Sequence, residues 1–500
     1  MNGLKYNIRI ASEGRELVAI DEFRLAKSAI NVLLGESGIG KSLISLAIAG
    51  LLDPDELNVK IDGKSYTAYL RSREAIDIRR SGFFVFQEPS SHLNPLSTLR
   101  TQLREGSLTD APDEERILRK LWQDSALSDV ESILDVYPKP YRPSGGEKQR
   151  ILAAMAFKKM AASAAHARES LFIFDEPTGN LDNNLRNEFL DLLIENFRNQ
   201  EATIVLITHD YSIISRFVST YSAVSKNILY RELLLEHGKL RLRDFLPGEY
   251  LSWMEKRNKA IHTVKKTETI LRLYPHVKVF GRTLSISRDI EGRKHEPLVI
   301  RKGAVTYLKA PSGAGKTTIV KIMMGLIKPE KMSMELGSEV YTEETNRNVW
   351  AQNVWGKRMT MVFQHADESL NQNSKVKSVF SGLPIAGLMN EQKIVNSISE
   401  LFEEEPSCGF LETKVKYLSG GQKQRLNLLR SLILHTDILI LDEPLNGLDF
   451  ARVAKVIAMI ETKLKSGIGV LVISHNEEVF DTLVAQEDVY YLHHTGVESR

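Results

Sequence analysis

Two stretches of eight residues share one pattern: GESGIGKS at Gly35–Ser42 and APSGAGKT at Ala310–Thr317, with Lys41 and Lys316 standing 275 residues apart. Each follows a short apolar run, Ala29–Leu34 in the first case and Ala304–Leu308 in the second. A buried strand, a glycine-rich turn and a helix in that order make a cradle for phosphate. Backbone N–H groups of the turn and of the helix start converge on one spot, and the helix dipole favours negative charge there. Each copy alternates strand and helix signals, so each requires its own parallel α/β core. The chain is therefore expected to fold as two α/β domains.

Four further pairs keep the same order. FQEPSSHLNP at Phe86–Pro95 matches FQHADESLNQ at Phe363–Gln372, and Gln87 and Gln364 are 277 residues apart. SGGEKQR at Ser144–Arg150 matches SGGQKQR at Ser419–Arg425, at an offset of 275. LFIFDEP at Leu171–Pro177 matches ILILDEP at Ile438–Pro444 at 267, and ITHD, ending at Asp210, matches ISHN, ending at Asn476, at 266. Five motifs in one order at nearly constant offset are an internal duplication. The drop after the third pair places an insertion in the first copy around Lys158–Ser170, expected to be a helix extension or a surface loop without chemistry. Apolar runs at Thr203–Ile207 and Gly469–Ile473 read as further buried strands. We expect a first domain over 1–245, a linker over 246–276, which mixes turn signals with basic residues, and a second domain over 277–500.

Composition agrees with two domains, since 500 residues exceed what one core usually supports. No apolar run approaches the roughly 20 residues that cross a bilayer, and Met1–Ile10 lacks the apolar core of a signal peptide. Any membrane role is expected to come through partners, with the chain in the cytoplasm. A net charge of +2 gives no global attraction to nucleic acid. The single cysteine, Cys408, excludes an internal disulfide and a Cys-ligated cluster and is expected to be a free thiol.

The candidate phosphate-binding residues are Gly35, Glu36, Ser37, Gly38, Ile39, Gly40, Lys41 and Ser42 in the first copy. In the second they are Ala310, Pro311, Ser312, Gly313, Ala314, Gly315, Lys316, Thr317 and Thr318. Lys41 and Lys316 would reach the β- and γ-phosphates, and Ser42 and Thr317 would offer a hydroxyl to Mg²⁺. Ala310 departs from the pattern, because a glycine usually opens the cradle. If that position needs φ > 0, a Cβ there costs about 1 kcal/mol.

LFIFDEP and ILILDEP put two acids at the end of a buried strand. Asp175 and Asp442 suit a Mg²⁺ shell, while Glu176 and Glu443 are placed to polarise an attacking water. His209 and His475 follow further buried strands, where a γ-phosphate contact fits. Ser144, Gly145, Gly146 and Glu147, like Ser419, Gly420, Gly421 and Gln422, open a helix and so form a second anion-binding terminus. A cradle domain already has one such terminus for its own nucleotide, so a second makes sense if it serves a nucleotide held by another domain.

Cradle, glutamine loop, SGG signature, DEP strand and histidine loop, in that order, resemble the ATP-binding cassette (ABC) ATPase family over both halves of the chain. The resemblance implies two P-loop NTPase domains in tandem, each a mainly parallel sheet core with an antiparallel β subdomain and a helical signature subdomain. It implies ATP and Mg²⁺ as ligands, with Gln87 and Gln364 joining the Mg²⁺ shell. It also implies head-to-tail pairing of the two cassettes, in which Ser419, Gly420, Gly421 and Gln422 complete the first site and Ser144, Gly145, Gly146 and Glu147 the second. Asp182 and Asp449 match the D-loop. Pro143 and Glu147 depart from the signature, so the second site is expected to be the weaker of two hydrolytic sites. Neither half shows a clear adenine-stacking aromatic; Tyr6 and Phe280 are candidates, and each is expected to be an ordinary strand residue.

Within that family, F-Q-[DE]-P-x-x-S-L-N-P resembles the glutamine-loop sequence in ATPases of oligopeptide, dipeptide and nickel importers. The first copy keeps Phe86, Gln87, Glu88, Pro89, Leu93, Asn94 and Pro95; the second keeps Phe363, Gln364, Ser369, Leu370 and Asn371. The implied partners are two integral-membrane permease subunits and, indirectly, a solute-binding protein, with no nucleic acid. The implied location is peripheral, on the cytoplasmic face of the inner membrane, with the chain monomeric because its own cassettes pair. Little follows His475, so the C-terminal extension of that class is expected to be missing or much reduced. The alternative is a soluble tandem cassette protein acting on ribosomes or nucleic acid, which the short linker and balanced charge disfavour. Peptide, nickel and metal chelate all stay open as cargo.

Overall fold

The computed structural model describes residues 3–105, 108, 113–122, 127–135, 143–162, 170–179, 181, 183–200, 202–236, 239–258, 268–311, 313–383, 391–402 and 408–495. The chain divides into two compact units, Met1–Leu251 and Ser252–Arg500.

The first unit is built on β1 (Gly3–Ser12), β2 (Arg15–Ala26), β3 (Ile30–Gly35), β4 (Asn58–Ile61), β5 (Lys64–Ser65), β6 (Phe83–Val85), β7 (Leu171–Asp175), β8 (Thr203–Ile207), β9 (Ile228–Glu236) and β10 (Lys239–Asp244). One sheet has the order β2-β1-β4-β5 and is antiparallel. The other runs β10-β9-β3-β8-β7-β6, parallel from β9 to β6 with β10 antiparallel at the edge. INVLLG, LFIFD and TIVLI are buried at every position, as strands covered on both faces must be. β1 and β2 instead alternate, sending Ile8, Ile10, Val18 and Ile20 into one core with Ile173, Val205 and Ile207 of the parallel sheet. Truncating a residue such as Ile207 to alanine would cost about 2–5 kcal/mol.

The second unit is built on β11 (Thr269–Leu273), β12 (His276–Val279), β13 (Arg282–Ser287), β14 (Leu298–Arg301), β15 (Val305–Lys309), β16 (Ser333–Leu336), β17 (Glu339–Thr342), β18 (Met359–Val362), β19 (Ile438–Asp442), β20 (Gly469–Ile473) and β21 (Val489–Thr495). Its sheets run β14-β11-β16-β17 and β12-β13-β21-β15-β20-β19-β18. The long hairpin of the first unit is here cut twice. Tyr274-Pro275 separates β11 from β12, and an excursion over 288–297 separates β13 from β14. Asp289 folds that excursion by accepting the Arg293 and Lys294 N–H groups. Between β6 and the signature helix Gly145–Ala162, and between β18 and its counterpart Gly420–Leu432, lie short helices such as Glu114–Leu121 and Glu391–Leu401. These form the helical part of each unit.

The 246–276 segment holds a helix, Pro247–Asn258, in which the unit boundary falls, and β11, which pairs with β14 and β16. Residues 259–267 of the expected linker and 163–169 of the expected insertion lie outside the described residues, as does the Cys408 side chain.

Candidate active sites

Each cradle is a turn of left-handed glycines between a buried strand and a helix. In the first, Gly35, Gly38 and Gly40 have φ of 137°, 79° and 109°, and the helix Lys41–Ala49 follows. A Cβ at Gly35 would stand 2.5 Å from the Leu233 carbonyl oxygen of β9, so only glycine fits there. Lys41 is buried, and its Nζ donates to the carbonyls of Gly35 and Glu36 at 2.7 and 2.8 Å. Burial pushes its pKa down, against the attraction of Glu176 and Asp175. In the second unit Lys316 Nζ donates in the same way to Ala310 and Pro311, at 2.6 and 3.1 Å, ahead of the helix Lys316–Met323. Ala310 is not among the residues with positive φ, and its methyl packs against the second core. The cost expected for a Cβ at that position does not arise. Ser312 lies outside the described residues.

The acids end β7 and β19 beside these cradles. Asp175 and Asp442 are buried. Burial pushes the Asp175 pKa up to about 6, with the Ser42 hydroxyl pulling the other way and Glu176 adding to the rise. Asp442 is likewise raised by burial and opposed first by Thr317. Asp175 Oδ1 and both Asp442 carboxylate oxygens are buried without a well-aligned hydrogen bond. Such orphaned carboxylate oxygens next to a hydroxyl suit a small, hard cation.

Glu176 and Glu443 both sit in a left-handed backbone conformation, φ 46° and 49°, with their N–H groups bonded to Ile207 and Ile473. A non-glycine residue held there in both copies stores of order 1–3 kcal/mol of strain, a feature that clusters at functional sites. Their surroundings differ. The Glu176 carboxylate takes the Gln87 amide at 3.0 Å, and His209 Nδ1 lies 3.2 Å away without an aligned hydrogen bond. Burial works to raise its pKa, but His209 and Lys41 outweigh that and hold it down at about 2. Glu443 instead accepts the Ser474 hydroxyl and the His475 N–H, both at 3.1 Å, with His475 Nε2 3.4 Å away. There burial wins and pushes the carboxyl well above its usual range.

The glutamine loops are tied to the signature helices by different hardware. Lys148 Nζ donates to the Ser90 hydroxyl at 3.0 Å and Gln149 to the Phe86 carbonyl at 3.2 Å. In the second unit Lys423 pairs with Asp367 at 2.9 Å, Asn427 bonds the Phe363 carbonyl, and Lys321 of the cradle helix pairs with Glu368. Leu96, just past the first loop, is 75% exposed. Both signature helices begin with a capping box. Ser419 and Gln422 satisfy each other's backbone N–H groups, and Ser144 and Glu147 do so with the same geometry. The Glu147 departure therefore keeps the cap but adds a negative charge to a helix start.

Asp449 caps the helix Phe450–Lys465 through the Arg452 N–H at 2.9 Å and is ion-paired with the Arg452 side chain. Asp182 lies outside the described residues. Tyr6 is a strand residue, buried in the first core with its hydroxyl on Glu74 at 2.6 Å. Phe280 is not. It occupies the β12–β13 turn at φ 52°, is 75% exposed, and precedes Gly281. The matching β1–β2 turn carries Glu13 and Gly14. Leu284, farther along β13, closes on the cradle, 3.1 Å from where a Gly315 Cβ would stand.

Two cradles, each with an acid pair and a histidine at the ends of neighbouring parallel strands, define a nucleotide-hydrolysing cassette present twice. The ABC transporter family matches this chain at residues 20–179 and 295–446, and the chain belongs to that family as a tandem of two ATP-binding cassettes. It is 26% identical over 519 residues to the peptidoglycan transport ATP-binding protein YejF of Agrobacterium fabrum, covering 97% of this chain and 90% of that one. It is 24% identical over 539 residues to the glutathione import ATP-binding protein GsiA of Escherichia coli O157:H7, covering 97% and 84%. Among solved structures, RNase-L inhibitor aligns with a TM-score of 0.60 at 18% identity, over 97% of this chain and 89% of that one. That likeness shows the fold alone.

Proposed function

We propose that this chain is the fused ATPase subunit of an ABC importer, hydrolysing ATP with Mg²⁺ as cofactor at two unequal sites to drive separate permease subunits. The carrying observation is that relatives aligned over nearly the whole tandem chain are themselves named as import or transport ATP-binding proteins. The exposed Leu96 behind FQEPSSHLNP supports a permease-facing surface there. No helix among the described residues is long and apolar enough to cross a membrane, consistent with a peripheral place on the cytoplasmic face. The two names, peptidoglycan and glutathione, favour a peptide-containing cargo over nickel.

In this reading the cradle N–H groups and Lys41 or Lys316 hold the phosphates of ATP. Asp175 with Ser42, and Asp442 with Thr317, would hold Mg²⁺, joined by Gln87 and Gln364; the ion neutralises phosphate charge when bound. Glu176, ionised and held by Gln87, accepts a proton from the attacking water, and His209 contacts the γ-phosphate. Ser419–Gln422 completes the first site and Ser144–Glu147 the second. ATP that contacts both cassettes only when they are closed has differential affinity for that state and so drives the closure. Affinity purification of the full chain from membranes tests the proposal. A permease pair whose substrate stimulates ATP turnover is expected; ribosomes in its place would overturn it.

A further inference from the structure

Asp210, immediately after His209, is held by three groups. Its Oδ2 accepts from Arg186 Nη1 at 2.8 Å, and its Oδ1 accepts the Ser212 N–H and hydroxyl at 2.9 and 2.5 Å. Arg186 Nη1 also donates to Ser212 Oγ at 2.6 Å. The arginine and aspartate side chains are only 13% and 18% exposed. Arg186 stands in the first turn of the helix Asn183–Gln200, on the chain that has just left Glu176. On the other side of His209, the Thr208 N–H donates to Leu33 of β3 and its hydroxyl accepts the Asp210 N–H. The backbone of His209 is thus pinned from both neighbours, once to the cradle strand and once to the helix that follows the acids.

Among the described residues the second unit has no such clamp. Aligned on the acids and on the histidine, Arg186 corresponds to Val453 and Asp210 to Asn476. Arg452, one residue earlier, turns to Asp449 instead, and the Asn476 N–H goes to Ser474 Oγ at 3.1 Å. There Glu443 itself ties the loop down through Ser474 and His475. Among the described residues of the first unit, the carboxylate Glu176 has only Gln87 as a well-aligned donor, and the clamp holds the backbone that carries His209.

We propose that Arg186 and Asp210 are positioning residues for ATP hydrolysis at the first site, acting through His209, and that the second site does without them. The inference rests on the catalytic reading of Glu176 and His209. Both side chains are engaged with each other and with Ser212, so their loss should slow turnover without weakening ATP binding; misplacement of a catalytic group typically costs one to two orders of magnitude.

The test is steady-state ATP turnover by the full chain carrying Arg186→Met, Arg186→Lys or Asp210→Asn, with Asn476→Ala as the second-unit counterpart. Expected is a fall in kcat of about tenfold for R186M and D210N at a KM for ATP within about twofold of the parent, a smaller fall of about threefold in R186K, and an unchanged kcat in N476A. Unchanged kcat in D210N and R186M, or a loss carried by KM, would overturn the proposal. If those two fail to fold by thermal melting, R186K decides alone: lowered kcat at constant KM supports it and unchanged kcat overturns it. Glu176→Gln, run in parallel, separates the layers. Full turnover in E176Q sinks the catalytic reading, whereas a dead E176Q beside an intact D210N sinks only the clamp.

Discussion

Gln87 donates its side-chain amide to Glu176 at 3.0 Å, joining the glutamine loop to the carboxylate one residue past β7. The matching carboxylate, Glu443, draws its hydrogen bonds from Ser474 and His475 on the histidine loop. Movement of the first glutamine loop is therefore felt directly at the carboxylate proposed as the general base. Gln87→Ala should lower ATP turnover by about tenfold while fluorescent-nucleotide affinity stays near the parent value, and Gln364→Ala should cost less turnover. Equal losses in the two variants would show that the difference in hydrogen bonding has no kinetic weight.

The same contrast separates the two acids. His209 and Lys41 hold Glu176 ionised against its burial, whereas burial raises the Glu443 carboxyl above its usual range, and in the proposed reading Glu176 is the principal base. Glu176→Gln should reduce turnover by about a hundredfold or more, and Glu443→Gln by distinctly less. Single-variant kcat values measured side by side decide this, and indistinguishable values would refute it.

Gly35 and Ala310 open their cradles in different backbone conformations. Gly35→Ala drives a Cβ to 2.5 Å from Leu233 O at φ 137° and should destabilise the first unit by about 1–3 kcal/mol. Ala310→Gly only loosens the chain and removes a methyl from the second core, for about 0.5–1 kcal/mol. Urea unfolding of both variants reads the difference directly, and an Ala310→Gly loss as large as that of Gly35→Ala would contradict it.

Phe280 is an exposed aromatic on the β12–β13 turn, four residues before Leu284, the side chain that closes on the second cradle. Phe280→Ala should raise the KM for ATP several-fold with little change in folding, since stacking on a base is worth about 1–3 kcal/mol. Glu13→Ala, at the matching turn, should leave KM where it was. A Phe280→Ala variant with parental KM would return this side chain to the surface.

Much of this was legible from residue types and spacing. β8 and β20 fall on the TIVLI and GVLVI runs, because continuous β-branched and aliphatic residues have no other place than a strand covered on both faces. The capping boxes follow from S-x-x-E and S-x-x-Q. The Phe280 turn was hidden because Pro275 and the 288–297 excursion break the alternation that makes the first hairpin visible. The Arg186–Asp210 clamp was hidden for another reason. Two opposite charges 24 residues apart announce nothing until a helix and a strand end bring them to 2.8 Å. The burial that sets Glu176 and Glu443 apart depends on packing that two nearly identical DEP motifs do not display.

One consequence follows from the way the glutamine loops are fastened. In the first unit Lys148 meets the neutral oxygen of Ser90; in the second, Lys423 and Lys321 meet the carboxylates of Asp367 and Glu368. Partly exposed charge pairs weaken as dissolved ions screen them, while a bond to a hydroxyl weakens far less. Ionic strength is thus a handle on the Lys423–Asp367 and Lys321–Glu368 fastenings of the second loop. A rise in salt would slacken that loop, which carries two carboxylates where the first copy has Ser90 and Ser91.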